Sequence, residues 1–358
     1  MFDWNYFKEK YPDIIQLYEQ TPQDKEWHGE GNVATHTKMV LESLHSDQEY
    51  SLLSGKEQFV LSYAAFFHDY AKPFSTKEEN GRIVSPGHAK RGSLMFREMF
   101  FDTLDFQERE NISLLIRYHG YPLHYYEKPE LDIVRMSEIL NLRFLYLLSK
   151  ADINGRIAKD KEELLLQVDF FKEKAVEYNC FKNSLQWESI EEREFFFSHG
   201  YRYSPYPKER PYVYILSGLP GVGKDYFVSK KQFPVVSFDD IRRKWKVKRG
   251  DKKMEGRVIQ EAKSQMKKYL AEKQPFIFNG TNLNKENRQK WINLFKEYDS
   301  VVEIIYFEKK MKTILNQNRN RKYIVPEEVI LNYLKKMEVP SKEECDIITY
   351  KIQKKDFF

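Results

Sequence analysis

The sequence predicts a multi-domain protein in which an all-helical N-terminal domain precedes an α/β domain with a parallel sheet. Three observations support this prediction. The 358 residues are enough for about two domains of ordinary size. Apolar residues recur at helical spacing through residues 35–178, whereas short apolar runs alternate with helical patterns beyond residue 211. The expected domains are 1–190 and 211–358, joined by a linker at 191–210 that contains two prolines and no clear periodicity.

The N-terminal pattern predicts helices separated by turns such as Lys72-Pro73 and Gly120-Tyr121-Pro122. No alternating strand pattern competes with them. The predicted helices are 35–44, 57–68, 91–101, 109–118, 133–150 and 162–178.

The C-terminal pattern predicts short buried strands joined by helices, which is typical of a parallel sheet with crossover connections. The predicted strands are 212–217, 235–238, 276–278, 301–307 and 347–352, and the helices between them are 251–272, 285–298 and 309–316.

Composition excludes several classes of protein. No window approaches the roughly 20 consecutive apolar residues of a membrane span, and the mixed-charge start is unlike an export signal. Two cysteines, Cys180 and Cys345, are too few for a disulfide framework or a cysteine-based zinc site. We therefore expect a cytoplasmic protein without a membrane partner.

The net charge of +5 hides a strong asymmetry between the two halves of the chain. Residues 207–358 contain 34 basic and 20 acidic residues, a net +14, while residues 1–206 contain 25 and 34, a net −9. A basic half is a candidate for nucleic-acid binding, and a surface of solvated lysines is the alternative.

A phosphate-binding loop follows the first strand of the basic half. Gly218, Gly221, Gly223 and Lys224 lie in a G-x-x-x-x-G-K pattern between a predicted strand and a predicted helix. Such glycines let backbone N–H groups approach NTP phosphates, and the lysine reaches the β- and γ-phosphates. Asp225 replaces the usual Ser or Thr, and its carboxylate could still reach Mg²⁺. The alternative is a glycine-rich turn without a ligand.

The next strand ends in Asp239-Asp240-Ile-Arg242. A carboxylate at this position could accept the proton of an acceptor hydroxyl, and Arg242 could hold a neighbouring phosphate. The alternative is that one aspartate caps a helix. Further along, Arg319 and Arg321 precede Val325-Pro326, in a pattern typical of a lid over NTP phosphates or of a solvated basic turn.

These motifs, over about residues 212–340, resemble the phage-type polynucleotide 5′-kinases. The resemblance implies that Asp239 is the general base, that Arg242 contacts the acceptor phosphate, and that Arg319 and Arg321 lie on the lid. It also implies ATP or another NTP with Mg²⁺ as cofactor. Asn279 stands where many relatives have Asp, and small-molecule kinases share most of this scaffold.

The segment 242–253 holds eight basic residues and one acidic residue. Arg243, Lys244, Trp245 and Lys246 are candidate nucleic-acid contacts, since basic side chains neutralise phosphates while an indole stacks on a base. A solvated helix or loop is the alternative.

The acidic half contains histidines and aspartates in a pattern that could form a metal site. A buried His-Asp pair is costly without a cation, so His36, His68, Asp69 and Asp152 form a plausible set of ligands for a divalent metal. His88 and His119 could hold a second ion or a phosphate. Each histidine taken alone could also be a hydrogen-bonded core residue, and the remaining N-terminal histidines are expected to be structural or exposed: His28, His45 and His124.

This pattern resembles the HD superfamily of metal-dependent phosphohydrolases, through the segments HDYAKP, GHAKRG and SKADINGR. The resemblance implies hydrolysis of a phosphomonoester or cyclic phosphodiester at a divalent, transition-type metal, with Lys72 contacting the substrate.

The two halves together resemble the bacterial bifunctional HD–polynucleotide kinase end-healing enzymes. That resemblance implies phosphorylation of 5′-OH RNA or DNA ends and removal of 2′,3′-cyclic, 2′- or 3′-phosphates, with a separate RNA ligase as partner. The alternatives are a nucleotidase fused to a nucleoside or sugar kinase, an RNA-binding regulator with vestigial sites, and an NTPase switch acting on a signalling nucleotide.

Overall fold

The computed structural model describes residues 2–247 and 251–353. Lys248, Arg249 and Gly250 of the predicted basic segment therefore lie outside the described residues. The chain divides into two compact units, Met1–Trp187 and Glu188–Phe358. Within the described ranges, no helix combines the length and apolar character that crossing a membrane requires.

The N-terminal unit is built mainly of helices, as the sequence predicted. Its α-helices are α1 Trp4–Lys10, α2 Pro12–Glu19, α3 Val33–Ser46, α4 Gln48–Ser51, α5 Gly55–Phe67, α6 His88–Met99, α7 Phe106–Tyr118, α8 Asp132–Ser137, α9 Leu142–Asn154 and α10 Lys161–Glu177. Two 3₁₀ turns, Lys72–Phe74 and Pro122–Glu127, lie between them, together with strands β1 Lys77–Glu79 and β2 Arg82–Val84.

Two features of this unit correct the sequence prediction. The unit is not all-α, because β1 and β2 form an antiparallel hairpin whose turn residues, Asn80 and Gly81, both have positive φ, as an Asn-Gly hairpin turn requires. The predicted helix 133–150 is two helices, since the Asn141 side chain accepts hydrogen bonds from the backbone N–H of Arg143 and Phe144. That bonding begins a new helix.

Helix α5 places two polar side chains, His68 and Asp69, in the core. Residues 60–67 of α5 are all buried, so the second half of the helix is enclosed on every side and carries His68 and Asp69 inward at its end. Helix α3 packs against α5 and α9. The contact with α9 is close: a Cβ on Gly155 would lie 2.6 Å from Val40 Cγ2 and 2.9 Å from the Val40 backbone nitrogen. Glycine therefore lets the end of α9 approach α3.

The C-terminal unit alternates strands and helices, as predicted. Its helices are α11 Ile190–His199, α12 Lys224–Ser229, α13 Phe238–Trp245, α14 Lys252–Ala271, α15 Lys285–Lys296, α16 Met311–Arg319 and α17 Glu327–Lys335, with a 3₁₀ turn at Lys342–Glu344. Its strands are β3 Tyr212–Ser217, β4 Val235–Val236, β5 Phe276–Asn279, β6 Val301–Glu308 and β7 Ile347–Ile352.

These five strands form one sheet in the order β4-β5-β3-β6-β7, and every pairing is parallel. The parallel sheet predicted from the sequence is confirmed. Strand β3 lies between β5 and β6, with Leu216 opposite Asn279 and Ile305. The carboxyl ends of β3 and β5 therefore meet at one edge of the sheet, where ligands bind in this class of fold.

The segment predicted as a linker contains helix α11. Ser189 caps its first turn, and Gly200, with φ of 84°, ends it. Arg210 donates to the Glu194 carboxylate at 2.6 Å, and Lys296 lies 3.2 Å from the same group. The pair with Lys296 attaches the segment to α15 of the C-terminal unit.

A fully buried arginine supports the turn that follows β5. Arg288 Nε and Nη2 each lie 2.8 Å from the Glu344 carboxylate, and Nη1 donates to the carbonyls of Asn282 and Glu338 at 2.9 Å. The same turn accepts a hydrogen bond from the Gly218 N–H through Thr281 O. Arg288 is therefore structural, and it positions the turn beneath the phosphate loop.

Replacing Glu344 by Gln leaves this guanidinium without its buried counter-charge. We expect the free energy of unfolding of the C-terminal unit to fall by about 3–5 kcal/mol, measured by urea denaturation followed by circular dichroism. Lys290→Gln is the control, because that lysine is 64% exposed and its loss should cost less than about 0.5 kcal/mol. Equal stability of the two variants would contradict the structural role of Arg288.

Candidate functional site

The loop after β3 adopts the backbone expected of a phosphate-binding loop. Gly218, Gly221 and Gly223 all have positive φ, of 145°, 85° and 105°. A Cβ would lie 2.5 Å from Phe307 O at Gly218 and 2.8 Å from Ile314 O at Gly221. Both the conformation and the space available therefore require glycine at these two positions.

Lys224 is buried beneath this loop. Its Nζ donates to the carbonyls of Gly218 at 2.6 Å and Leu219 at 2.9 Å. Burial lowers the pKa of this ammonium group to about 7, and the nearby Asp225 carboxylate offsets only part of that effect. A phosphate anion at the loop would favour the charged form of the lysine.

A cavity of about 1350 Å³ opens at this edge of the sheet. It is larger than the range of about 300–1,000 Å³ that is usual for one small ligand. The phosphate loop, the first turns of α13, the end of β5 and the segment after α16 all line it. The site therefore has room for a nucleotide together with part of an acceptor.

Asp239 and Arg242, which the sequence predicts to be a general base and a phosphate contact, both line this cavity, and those roles stay predictions. Neither Asp239 nor Asp240 caps the helix, because the Ser237 hydroxyl accepts the N–H of Asp240. The Asp239 side chain is 72% exposed and lies 2.8 Å from Arg242 Nη1. Arg242 also donates to Glu255 through Nε at 3.0 Å and Nη2 at 2.9 Å. Sequence reasoning missed Glu255, which comes from α14.

The two predicted lid arginines differ in position. Arg321 lines the cavity and lies 3.1 Å from Asp225 Oδ2. Arg319, by contrast, is 71% exposed, lies 3.8 Å from Glu327 and is not among the residues that line this cavity. Of these two arginines, Arg321 is the one that lines the cavity.

The predicted nucleic-acid contacts lie on and after α13. Arg243 pairs with Asp240 and covers the Tyr323 ring at 5.0 Å. Lys244 and Lys246 are exposed. Trp245 is 36% exposed and borders a separate, smaller cavity of about 430 Å³. These side chains are accessible, and their role stays a prediction.

In the N-terminal unit, four predicted metal ligands converge. His36 Nε2 lies 3.3 Å from His68 Nε2 and 3.1 Å from Asp152 Oδ1, and His68 Nε2 lies 3.3 Å from Asp69 Oδ2. All four side chains are at most 1% exposed. Residues separated by more than 100 positions in the sequence thus form one buried centre.

His88 and His119 lie on the other side of Asp69. His88 Nε2 is 3.4 Å from Asp69 Oδ1, and the His119 ring is 5.2 Å from the His68 ring. Asp69, His88 and His119 offer ligand atoms that all lie within 4.8 Å of one another, as do His36, His68 and Asp69. Asp69 is shared by the two groups, so the arrangement has the form of two adjacent metal positions.

The histidine rings are held with Nε2 toward the centre. His68, His88 and His119 each hydrogen-bond through Nδ1 to a backbone carbonyl, at 2.7–2.8 Å. His36 Nδ1 instead faces the Glu30 carboxylate at 3.0 Å. Such partners fix ring orientation in metal sites.

The donor set fits a divalent cation. Asp69 Oδ1 and His88 Nε2 are buried and lack a hydrogen-bond partner, which is costly unless a cation satisfies them. Asp69 Oδ2, by contrast, lies 2.7 Å from Lys72 Nζ. Burial lowers the pKa of His119 to about 3, which keeps its imidazole in the neutral, metal-binding form. Burial opposes ionisation of Asp69, but His68 and Lys72 nevertheless hold its pKa well below the usual value.

Lys72, the predicted substrate contact, lies at this centre, with Nζ 2.7 Å from Asp69 Oδ2 and 2.5 Å from Gln23 Oε1. Sequence reasoning missed Gln23 and also Arg156, whose Nη2 lies 2.6 Å from Asp152 Oδ2. The spacing of Asp152 and Arg156, one helical turn apart, was the available signal.

His28, which the sequence predicts to be structural or exposed, lies with its Nδ1 2.8 Å from the same Glu30 carboxylate that faces His36. Glu30 itself gave no recognisable signal, since it precedes the helix in an irregular segment.

Comparison with known proteins bears on the C-terminal unit. A family model described as AAA domain matches residues 213–340. The L-seryl-tRNA(Sec) kinase of Methanococcus maripaludis is 30% identical over an alignment 136 residues long, which covers 35% of this chain and 52% of that kinase. The chain thus spans about half the length of this curated relative.

Two solved structures are more distant. A chain of the Pnkp1/Rnl/Hen1 complex is 19% identical with a TM-score of 0.30, over 34% of this chain and 43% of its own length. A gluconokinase from Sinorhizobium meliloti 1021 is 13% identical with a TM-score of 0.28, over 40% of this chain and 84% of its own length. TM-scores this low carry no argument. The family match and the curated relative make residues 213–340 a P-loop kinase-type domain.

Proposed function

We propose that this chain is a bifunctional enzyme that repairs the ends of broken RNA or DNA. The kinase-type unit phosphorylates a 5′-OH end with an NTP, and the helical unit is an HD-type phosphohydrolase that removes a 2′,3′-cyclic, 2′- or 3′-phosphate. The observation that carries the proposal is that each unit assembles, from distant parts of its sequence, a site suited to phosphate chemistry.

The kinase step follows from the groups at the C-terminal cavity. The phosphate loop and Lys224 hold the NTP phosphates, and Mg²⁺, when bound, neutralises their charge. Asp239 accepts the proton of the 5′-hydroxyl as its oxygen attacks the γ-phosphorus. The bond between that phosphorus and the bridging oxygen breaks, and the nucleoside diphosphate leaves. Arg242 orients Asp239 and lies where a phosphate of the acceptor can bind.

A nucleic-acid acceptor is favoured over a small molecule by three properties. The cavity exceeds the size needed for one small ligand. Basic side chains and a partly exposed tryptophan lie on α13, beside Asp239. The curated relative is named for a seryl-tRNA substrate, so its acceptor hydroxyl is attached to an RNA.

The hydrolase step follows from the buried centre of the helical unit. His36, His68, Asp69 and Asp152 would hold a divalent cation, with His88 and His119 at an adjacent position. When bound, the cation supplies an activated water and neutralises phosphate charge. Lys72 and Arg156 provide the cationic side chains that orient the phosphate, and each is held in place by an aspartate. The products of both steps, a 5′-phosphate and a 3′-hydroxyl, are the ends that a separate RNA ligase joins.

Lys224→Ala and Asp239→Asn test the kinase site. We expect each to reduce phosphate transfer to a 5′-OH oligonucleotide by about 100-fold or more, while hydrolysis of a 2′,3′-cyclic phosphate end stays nearly unchanged. The measurement is an end-labelled oligonucleotide assay with both substrates tested in parallel. Lys267→Ala, which removes an exposed lysine of α14, is the matched control. Transfer to a free nucleoside but to no oligonucleotide would instead support the small-molecule alternative.

His68→Ala and Asp69→Asn should have the opposite effect. We expect loss of phosphate release and of bound transition metal, measured by end-group assay and elemental analysis, with kinase activity retained because the two sites use separate residues. His124→Ala is the control, since that side chain is 64% exposed. If every single variant abolished both activities, the model of two independent sites would be wrong.

The lowered pKa of Lys224 predicts proton uptake when ATP binds. A lysine with pKa of about 7 is about half protonated at pH 7 and becomes fully protonated beside phosphate, so about half a proton is taken up. Uptake should rise between pH 6 and pH 8, because less of the free lysine is protonated at higher pH. Calorimetry in buffers of different ionisation enthalpy measures it, with Lys224→Arg as the baseline. Identical uptake by both proteins would contradict the prediction.

A further inference from the structure

We propose that Asp225, the residue after the phosphate-loop lysine, supplies the carboxylate that receives the divalent cation of the bound NTP, and that it gives up Arg321 in exchange. This inference rests on the proposed NTP-binding function and adds the residue that couples the metal to the nucleotide. P-loop enzymes in general place a Ser or Thr hydroxyl at this position and an acidic residue at the end of a neighbouring strand. In this chain Asp225 replaces the hydroxyl residue, and β5, one neighbour of β3, ends in Asn279. The other neighbour, β6, ends in Glu308, which accepts a hydrogen bond from the Tyr306 hydroxyl and does not line the cavity.

The contacts of Asp225 show where its negative charge lies. Asp225 Oδ1 accepts a hydrogen bond from Asn279 Nδ2 at 3.1 Å, and Asn279 is the last residue of β5. The side chain after the lysine and the side chain at the neighbouring strand end therefore meet at one point. Here Asp225, after the lysine, carries the carboxylate, and Asn279, at the strand end, carries a neutral amide. The negative charge that P-loop enzymes usually place at the strand end therefore lies on the residue after the lysine.

The second carboxylate oxygen is paired with the cavity arginine. Asp225 Oδ2 lies 3.1 Å from Arg321 Nη2. Three cavity arginines are paired with carboxylates in this structure: Arg242 with Asp239 and Glu255, Arg243 with Asp240, and Arg321 with Asp225. Lys224, by contrast, is hydrogen-bonded to two backbone carbonyls.

A triphosphate changes this balance of charge. Asp225 lines the same cavity as Lys224, so an unpaired carboxylate there would repel the NTP phosphates. Once Arg321 turns to the phosphates, the carboxylate needs another cation. A hard divalent cation would meet this need and would be held by the Asp225 carboxylate, because oxygen is the ligand that Mg²⁺ prefers.

A purely structural role does not account for Asp225 at this position. The side chain is 70% exposed, so it does not fill the core, and an exposed ion pair of this kind adds little to stability. The residue can therefore be changed without emptying the core, which makes the proposal testable by substitution.

The decisive measurement is the affinity for a non-hydrolysable ATP analogue, determined by calorimetry with Mg²⁺ and with EDTA. We expect the unchanged protein to bind at least about tenfold more tightly with Mg²⁺. Asp225→Asn should bring this ratio close to one, with weaker binding in Mg²⁺ and equal or tighter binding in EDTA. Glu327→Gln is the control: its carboxylate faces Arg319 and does not line the cavity, so the ratio should stay as in the unchanged protein.

An exchange of the two side chains tests the geometry. Asn279→Asp alone places two carboxylates against each other and should weaken binding in EDTA. The double variant Asp225→Ser, Asn279→Asp moves the charge to the strand end and should restore the Mg²⁺ dependence that Asp225→Asn loses. Failure of the double variant to regain it, despite a native circular dichroism spectrum, would contradict the exchange.

A change of metal preference provides a readout that is independent of stability. Asp225→Cys offers a thiolate, which prefers softer metals, so analogue affinity should become greater with Cd²⁺ than with Mg²⁺. The other two cysteines, Cys180 and Cys345, are buried. If the unchanged protein binds no ATP analogue, the proposed function fails. If it binds with Mg²⁺ dependence and the Asp225 variants keep both that dependence and the preference for Mg²⁺, this inference alone is overturned.

Discussion

Charges that are removed from water need a counter-charge, and this constraint shapes both units. In the helical unit, Asp69 and Asp152 are buried and hold their negative charge only because Lys72, Arg156 and the histidines surround them. In the kinase-type unit, the buried Arg288 is paired with Glu344. Chain segments that are distant in sequence are thereby held together, and the functional groups lie on those segments.

The parallel sheet brings the functional groups of the kinase-type unit together at one edge. Because the strands run in one direction, the loops after β3 and β5 emerge at the same edge, and hydrogen bonds from Gly218 to Thr281 O and from Asn282 Nδ2 to Leu216 O join them. Arg288 supports that junction from below. The phosphate loop, Asp239 and the strand-end amide of Asn279 thus share one cavity. The arginines that line that cavity, Arg242, Arg243 and Arg321, are each paired with a carboxylate in this structure.

Sequence patterns predicted what depends on neighbours along the chain. The helical periodicity, the five strands and the glycine-dependent loop were predicted because each is encoded in a few consecutive residues. The errors arose where one local interaction outweighed a longer pattern: the Asn141 side chain divides a predicted helix, the Asn80-Gly81 turn forms a hairpin in a helical unit, and a polar aromatic segment forms α11 where a linker was expected. Glu255 and Glu30 could not be predicted as parts of the sites, since nothing near them in sequence marks them.

The sequence by itself determined the class of each unit, the phosphate loop and the identity of the residues that could bind a metal, because periodicity and short motifs are local properties. Only the tertiary structure decided which of those residues meet. It brought His36, His68, Asp69 and Asp152 together, left Arg319 outside the cavity that Arg321 lines, and placed Asp225 against Asn279. Packing decides such encounters because helix approach, strand register and the pairing of buried charge depend on residues far apart in the chain.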